Sequence, residues 1–140
     1  MPTNCLFCKI VTKQVPSYII YEDDATIAFL DIMPVSLGHT LVIPKIHSNN
    51  FLDTEDKVLH QVNRTMKLVA QNISDLLDVK NFNFITNNGS LAGQSIHHLH
   101  FHIIPKYKVD EGLNLTLKHP FAKKSDLKEL FDKLKITSLT

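Results

Sequence analysis

Alternating and continuous apolar runs predict five short strands along this chain. Segments 17–22, 25–31 and 39–45 combine β-branched and aromatic residues and are separated by polar turns, which is typical of strands. The third segment is apolar at both odd and even positions, so we expect it in the centre of a sheet, covered on both faces. Segment 81–87 alternates between apolar and polar residues, and a histidine-rich stretch ending at Pro105 supplies the fifth strand.

A helical period replaces the alternation after Asp53. Apolar side chains recur there at spacings of three and four residues, which predicts one long helix over residues 53–79 with Asp53 or Thr54 as its N-cap. The positions that form its apolar stripe are Val58, Val62, Met66, Val69, Ile73 and Leu76. A shorter helix is predicted over residues 5–13, ending before Pro16.

The C-terminal part carries a second amphipathic pattern. Its apolar positions are Leu127, Leu130, Phe131 and Leu134, and Ser125 is the predicted N-cap of this helix. Strands joined by short turns, with a long helix inserted between the third and the fourth, predict an α+β domain on an antiparallel five-stranded sheet. A chain of 140 residues is expected to form a single domain over residues 1–140 with one substantial core.

The charge balance argues against broad electrostatic binding to polyanions. Lysine and arginine number 15 against 14 acidic residues, for a net charge of +1, so neither nucleic acid nor a membrane surface is an expected partner. Arg64 is the only arginine, which leaves imidazoles, backbone amides, hydroxyls and lysines to bind a phosphate. There is no signal-peptide pattern and no run of ~18 apolar residues, so we expect a cytoplasmic protein.

The stretch GQSIHHLHFHIIP, residues 93–105, contains four of the eight histidines. In a strand, His98, His100 and His102 share one face at spacings of about 7 Å, and His97 points the other way. Such a row fits three interpretations: a solvent-exposed strand face, a metal site that uses all three imidazoles, or phosphoryl and nucleotidyl transfer. Imidazoles can serve as nucleophiles, proton carriers and donors to phosphate oxygens near neutral pH.

The polar residues before this row favour phosphate chemistry. Gly93 lets the backbone approach a ligand closely, and Gln94 and Ser95 offer an amide and a hydroxyl. Asn87 adds another amide at the end of the preceding strand. We therefore expect the third interpretation to hold, with these residues and the histidines around one phosphate.

The same residues resemble the signature of the histidine triad family of nucleotide hydrolases and transferases. The signature reads G-Q-S-x-x-H-x-H-x-H-x-x here, from Gly93 to Ile104. Further blocks of the family recur in order within residues 5–105: F-x-K-I, V-P, Y-E-D-D, A-F-x-D-I and G-H-T-L-V-I-P-K-x-H. The resemblance implies the histidine triad fold, with residues 106–140 as a C-terminal extension of the same domain.

The resemblance implies a covalent mechanism centred on His100. This histidine would attack the α-phosphate of a nucleoside monophosphate ester or amide and carry the nucleotidyl group until water releases it. His98 would fix its orientation, and His102 would contact phosphate oxygens. Ser95 would reach the leaving group. His39 would support the triad from the neighbouring strand, and the alternative at that position is an ordinary core histidine with a backbone partner.

The resemblance also implies a nucleotide-binding cleft. Gly93, Gln94 and Asn87 would lie near the phosphates, and Asp31 would accept hydrogen bonds from the ribose hydroxyls or simply cap a turn. The apolar slot for a purine would consist of Phe7, Ile10, Val15, Phe29, Ile32 and Leu41. Without the resemblance, these apolar residues are interpreted as ordinary core packing.

Four residues match the structural zinc site of bacterial-type members of the family. Cys5 and Cys8 form a C-x-x-C pair, which alone indicates half a metal site or a redox pair. In the family they join His47 and His98 around Zn²⁺, and two cysteines with two histidines are a common tetrahedral set. The alternative is two unpaired thiols in a short helix. The zinc would be structural, and no cofactor is required for the chemistry itself.

The implied activity is hydrolysis of purine nucleoside phosphoramidates or aminoacyl-adenylate-like compounds, with AMP or GMP as the bound nucleotide. A dinucleoside polyphosphate hydrolase is one alternative, and a zinc-stabilised nucleotide-binding scaffold with little activity is another. Family members form twofold dimers, so a homodimer through residues 53–79 and 81–87 is expected. The chain departs from the family at His97, where an aromatic or variable residue is usual, and it lacks tryptophan, unlike the animal phosphoramidase branch.

Overall fold

The computed structural model describes residues 4–118 and 126–137. Within them, the strands are β1 (Ile19–Glu22), β2 (Thr26–Leu30), β3 (Thr40–Pro44), β4 (Asn81–Ile85) and β5 (Phe101–Lys106). The helices are α1 (Leu6–Val11), α2 (Asp56–Leu77) and α3 (Leu127–Leu134), and a short 3-10 helix covers Ser90–Ala92. The predicted strands and helices are all present, and the α+β class with one antiparallel five-stranded sheet is confirmed.

Strand β3 lies in the centre of the sheet. The strand order is β1-β2-β3-β5-β4, and all neighbouring strands are antiparallel. All five residues of β3 are buried, because both of its faces are covered. The prediction made from its continuous apolar run is therefore confirmed. Strand β4 lies at one edge, so one side of it has no partner strand within the described residues.

The two faces of the sheet pack against different helices. Val42 of β3 faces α2 and joins a buried cluster that includes Val62 and Ile73. Leu41 and Ile43, on either side of Val42, belong to a second cluster that α1 covers. This division follows from the two-residue period of a strand. Because α1 has only six residues, it leaves part of its face of the sheet uncovered.

The long helix begins later than the sequence predicts. Helix α2 starts at Asp56, and Glu55 occupies its N-cap position without a side-chain hydrogen bond. The hydroxyl of Thr54 donates instead to the backbone carbonyl of Asn50. The predicted caps, Asp53 and Thr54, therefore belong to the preceding turn, and that part of the prediction is wrong.

The predicted apolar stripe of α2 packs on the sheet over most of its length. Leu76 is the exception, with 73% of its surface exposed. With 3.6 residues per turn, the step of four residues from Ile73 leads to Leu77, which lies against Gly38. A Cβ atom at Gly38 would lie 3.1 Å from Leu77 Cδ1, and its φ is +92°, so this position favours glycine.

The C-terminal helix α3 carries apolar side chains but buries none of them. Leu127, Phe131 and Leu134 are all more than half exposed. Asp126 precedes the helix, and the predicted cap Ser125 lies outside the described residues. Over residues 4–118 and 126–137, we find no helix that is long and apolar enough to cross a membrane.

Candidate active site

The histidine row lies where strand β5 begins. The strand starts at Phe101, so His102 belongs to it while His98 and His100 precede it. The ring centroids of His100 and His102 are 5.3 Å apart, closer than the about 7 Å of alternate residues in a regular strand. The prediction of one strand through all three histidines is therefore wrong for His98 and His100.

Hydrogen bonds from neighbouring segments hold the residues before β5 in place. The backbone N–H of Leu99 donates to the carbonyl of Ser48 at 2.8 Å. The hydroxyl of Thr86, which follows β4, donates to the carbonyl of His100 at 2.8 Å. The backbone that carries the middle histidine is thus fixed from both sides without a regular sheet ladder.

The backbone carbonyl of His98 holds His100 in one neutral tautomer. Its Nδ1 lies 2.8 Å from the carbonyl oxygen of His98, and since a carbonyl only accepts, Nδ1 carries the proton. Nε2 of the neutral ring therefore has a free lone pair. Burial lowers the pKa of His100 below its ordinary 6.5, against the opposing effects of the His98 carbonyl and the Asp31 charge. The ring is thus a neutral potential nucleophile near pH 7.

A hydrogen bond from His39 determines which ring nitrogen of His102 carries the proton. The backbone N–H of Val35 donates to His39 Nδ1 at 3.2 Å, so the proton of the neutral His39 ring is on Nε2. That Nε2 lies 2.9 Å from Nδ1 of His102 and donates to it. The neutral His102 ring then carries its proton on Nε2 and can donate it to a ligand. Burial lowers the pKa of His102 to about 4, so it stays neutral near pH 7.

Asp31 both caps a turn and faces the histidines. Its Oδ1 accepts from the backbone N–H of Met33 at 2.8 Å, and its Oδ2 lies 3.5 Å from His39 Nε2. Asp31, His39 and His102 are close enough to hold a metal ion. However, 2.9 Å between two ring nitrogens is a hydrogen-bond distance, and Val35 occupies the other nitrogen of His39. We therefore interpret this group as a hydrogen-bonded relay.

A cleft of about 540 Å³ opens beside the histidine row, a volume typical of small-molecule sites. The residues with expected roles that line it are Phe7, Ile10, Val15, Phe29, Asp31, Ile32, Leu41, Asn87, Gly93, Ser95, His100 and His102. The other lining residues are Leu6, Pro16, Ser17, Leu30, Met33 and Ile96. The cleft thus joins an apolar part between α1 and β2 to a polar part at the histidines.

Gln94 and Gly93 are neighbours with different surroundings. Gln94 does not line the cleft: it is 4% exposed, its Oε1 accepts from the Gly89 N–H, and its Nε2 donates to the carbonyls of Asn49 and Ile96. Its amide therefore ties two loops together. Gly93 has a φ of +98° and lies so close to Asn87 that a Cβ would be 3.3 Å from its Nδ2. Glycine is needed there for both reasons.

The four predicted metal ligands cluster on the far side of His98. Their ligand atoms, the sulfurs of Cys5 and Cys8 and Nδ1 of His47 and His98, all lie within 4.8 Å of one another. The sulfur of Cys8 is 3.3 Å from His47 Nδ1 and 3.5 Å from His98 Nδ1, and the two Nδ1 atoms are 3.2 Å apart. At the bond lengths of a tetrahedral zinc, such atoms stand about 3.3–3.8 Å apart.

The hydrogen bonds of these histidines also fit a metal ion. Nε2 of His98 donates to the Pro44 carbonyl at 2.8 Å, and Nε2 of His47 pairs with Asn49 Oδ1 at 3.2 Å. Both Nδ1 atoms are then unprotonated, and a shared cation relieves the repulsion between their lone pairs. Burial first, and then Cys5, raise the pKa of Cys8 to about 11, so its thiolate needs a bound cation at neutral pH. A divalent metal such as zinc would stabilise the fold here.

His98 therefore directs its ring to the cluster of candidate metal ligands and its carbonyl to His100. It does not line the cleft, and neither does His39. His97 is exposed and lines a separate cavity of about 370 Å³ next to Cys5 and His47. The active-site prediction thus divides into residues that line the cleft and residues that lie behind it.

The chain matches a known domain family over most of its length. A HIT domain is recognised over residues 12–109, which is more than two thirds of the chain. The chain belongs to the HIT domain family. Its similarity therefore extends across the sheet, α2 and the histidine row, and the resemblance seen in the signature is confirmed.

Individual relatives share this HIT domain over most of the chain. The "Protein hit" of Bacillus subtilis is 43% identical over 115 residues, covering 82% of this chain and 79% of that protein. A crystal structure of a HIT family member from the same organism superimposes with a TM-score of 0.85 at 38% identity, covering 96% of this chain and 99% of that one. Adenosine 5′-monophosphoramidase HNT1 of Saccharomyces cerevisiae is 37% identical over 109 residues, covering 78% of this chain and 66% of that protein.

Several contacts in this HIT domain have no clear signal in the sequence. Thr86 holds the carbonyl of His100, and Val35 sets the tautomer of His39 through a backbone amide. Asn49 orients His47. A backbone N–H donor is common to nearly all residue types, so the contact of Val35 leaves no trace in the sequence. In contrast, Asn49 lies two residues after a predicted metal-ligating histidine, and that spacing is a signal that could have been followed.

Proposed function

We propose that this chain hydrolyses purine nucleoside 5′-phosphoramidates, with His100 as the nucleophile. The observation that supports this most directly is the hydrogen bond from His100 Nδ1 to the His98 carbonyl. It leaves the Nε2 lone pair free on a ring that lines the cleft. The name of the yeast relative, an adenosine 5′-monophosphoramidase, supports the same class of substrate.

The proposed reaction has two displacements at one phosphorus atom. In the first, Nε2 of His100 attacks the α-phosphorus and forms a P–N bond, while the bond to the leaving amine breaks and the amine nitrogen takes up a proton. In the second, water attacks the same phosphorus and loses a proton, the bond to His100 breaks, and the nucleoside 5′-monophosphate is released. A covalent histidine intermediate divides one difficult hydrolysis into two easier steps.

The neighbouring side chains in the cleft would stabilise the charge on the phosphate. His102 donates from Nε2 to a non-bridging oxygen, because His39 holds its other nitrogen as an acceptor. Asn87 lines the same cleft and its side-chain amide offers a further N–H donor, whereas the backbone N–H of Gly93 already donates to the Ser90 carbonyl. Ser95, which also lines it, would donate a proton or a hydrogen bond to the leaving amine. Such donors replace the arginines that phosphate sites commonly use.

The nucleoside would occupy the apolar part of the cleft. Phe7 and Phe29 pack edge to face at a centroid distance of 5.5 Å, and Val15 and Leu41 line the same space. A purine ring fits an apolar slot with few polar anchors. The Oδ2 atom of Asp31 is free of backbone contacts and would accept hydrogen bonds from the ribose hydroxyls.

We further propose that the cluster of Cys5, Cys8, His47 and His98 holds a structural Zn²⁺. The metal would neutralise the thiolates and fix the His98 ring from behind the site. Because His98 also supplies the carbonyl that binds His100 Nδ1, the metal would position the nucleophile without contacting substrate.

The proposal is tested by AMP release from adenosine 5′-phosphoramidate at neutral pH. We expect turnover by the wild type and a loss of roughly a thousandfold or more in His100→Ala. Intact-mass measurement after a rapid quench at alkaline pH, where the P–N bond of a nucleotidyl-histidine is stable, should detect the adduct on the wild type only. His60→Ala, which removes an exposed histidine of α2, is the matched control and should retain full activity. Equal turnover by wild type and His100→Ala would refute the proposal.

The same assay separates the alternative activities. A higher catalytic efficiency on diadenosine tetraphosphate than on the phosphoramidate would show a dinucleoside polyphosphate hydrolase with the same nucleophile. Binding of AMP without turnover of either compound would show a nucleotide-binding scaffold. The phosphoramidate is expected to be the better substrate.

A further inference from the structure

One buried hydroxyl in the cleft wall has no hydrogen-bond partner. Among the described residues, Ser17 Oγ is the only buried side-chain nitrogen or oxygen atom without one. Other buried hydroxyls are paired: Thr26 with Thr65 at 2.6 Å, and Ser36 with the Pro105 carbonyl at 2.6 Å. An unpaired buried polar group destabilises the folded state, so each one calls for an explanation, such as an ordered water, stored strain or a functional role.

Ser17 lies in the part of the cleft where the base is proposed to bind. It lines the cleft together with Val15 and Pro16, the two residues before it, and with Phe29 from β2. The backbone of Tyr18, the next residue, is fixed to Leu30 by a 3.0 Å hydrogen bond. The position of Ser17 along the cleft wall is thus fixed. Its Oγ has no exposed surface in this conformer, so a bond to a ligand requires rotation about Cα–Cβ to another staggered position.

We propose that Ser17 Oγ hydrogen-bonds the edge of the bound nucleobase, an inference that rests on the proposed function. A hydroxyl both donates and accepts, so it can pair with a ring nitrogen, an amino group or a carbonyl of a purine. The walls around it are apolar, so this bond forms away from bulk water, where a missing partner is costly. Ser17 would therefore select nucleotides over base-free phosphates.

The test compares the affinities of AMP and ribose 5-phosphate for wild type and Ser17→Ala, measured by isothermal titration calorimetry. We expect the variant to bind AMP about three- to tenfold more weakly and to bind ribose 5-phosphate equally well. The unliganded variant should melt at the same temperature as wild type or a few degrees above it, because the unpaired hydroxyl is gone. Together, these opposite changes in affinity and stability would mark a hydroxyl kept for the ligand.

Ser36→Ala is the matched control, since it removes a buried hydroxyl that has a partner and does not line the cleft. It should lower the melting temperature and leave both affinities unchanged. Unchanged AMP affinity in Ser17→Ala would overturn the proposal, and so would an equal loss for AMP and ribose 5-phosphate, which would place the contact on the sugar or phosphate. If wild type binds neither compound, the proposed function itself fails.

Discussion

A single buried residue, His39, decides which nitrogen of His102 carries the proton. We predict that His39→Leu lowers kcat for the phosphoramidate by about 10–100-fold with a smaller effect on KM, because His102 can then adopt the wrong tautomer. His39→Gln places an amide donor near the position of the imidazole Nε2 and should recover much of the loss. Steady-state kinetics of both variants check this. Equal losses in Leu and Gln variants would show that His39 only fills space.

The burial of His100 leads to a prediction about pH. The attacking form is the neutral ring, and burial lowers the pKa of His100 below 6.5. Protonation therefore begins only at a lower pH, so kcat/KM should stay level as the pH falls through 6.5 and decline below it. His102, whose pKa burial lowers to about 4, remains a neutral donor over the same range, and His39 and Asp31 are the other titrating groups nearby.

The pH dependence of kcat/KM reports the free enzyme and is measured with the unsubstituted phosphoramidate. An acid limb with its midpoint clearly under 6.5 is expected. A midpoint at or above 6.5 would mean that burial does not control the nucleophile. The His39→Gln variant, which has one titrating neighbour fewer, shows whether His39 contributes to the same limb.

Individual elements show where sequence patterns are sufficient and where they fail. The continuous apolar run of β3 identified the central strand, because only a strand covered on both faces can be apolar on both. The row of His98, His100 and His102 suggested a regular strand through all three. The contacts that break it come from Ser48 and Thr86, which are distant in the chain, so no local period reveals them.

The hydrogen-bond partners of polar side chains were the least predictable feature of the site. The amide of Gln94 was expected near phosphate, yet three loop backbone groups occupy it. The hydroxyl of Ser17 carried no signal, because its importance lies in lacking a partner within the fold. In contrast, the apolar residues assigned to the cleft by family resemblance do line it. Four of the six, Phe7, Ile10, Phe29 and Leu41, lie in helices or strands that the sequence pattern predicts.

Three elements meet at the cluster of Cys5, Cys8, His47 and His98: α1, the turn after β3 and the segment before β5. We predict that Cys8→Ser reduces bound zinc from about one ion per chain to nearly none and destabilises the fold by more than about 3 kcal/mol. The turnover rate at saturating substrate should be affected less than the metal content and the free energy of unfolding, because these four residues do not line the cleft.

Metal content by mass spectrometry and thermal unfolding with and without a chelator check this prediction. His60→Ala, which removes a histidine outside the cluster, should keep both the metal and the melting temperature. A Cys8→Ser protein that retains wild-type zinc and stability would show that the cluster does not bind metal in this chain.

At the scale of the whole molecule, the edge strand β4 and the helix α2 each expose large apolar side chains. Phe84 of β4 is 51% exposed and stacks on Phe82 at a centroid distance of 5.8 Å. Leu68 and Leu76 of α2 are 42% and 73% exposed. An unpaired strand edge beside exposed apolar groups favours association with a second sheet. The segment 81–87, which is expected at a dimer interface, thus contains the edge strand β4 of the sheet.

We propose that two copies join through β4 and α2 as a twofold dimer, and we predict a mass of about twice 15.9 kDa in solution. Phe84→Lys places a charge in the apolar surface and should shift the protein to the mass of one chain, measured by light scattering coupled to gel filtration. Val109→Lys, at an apolar residue that is 87% exposed outside both elements, should remain dimeric. Dimers formed equally by all three proteins would place the interface elsewhere, and monomeric wild type would refute the assembly.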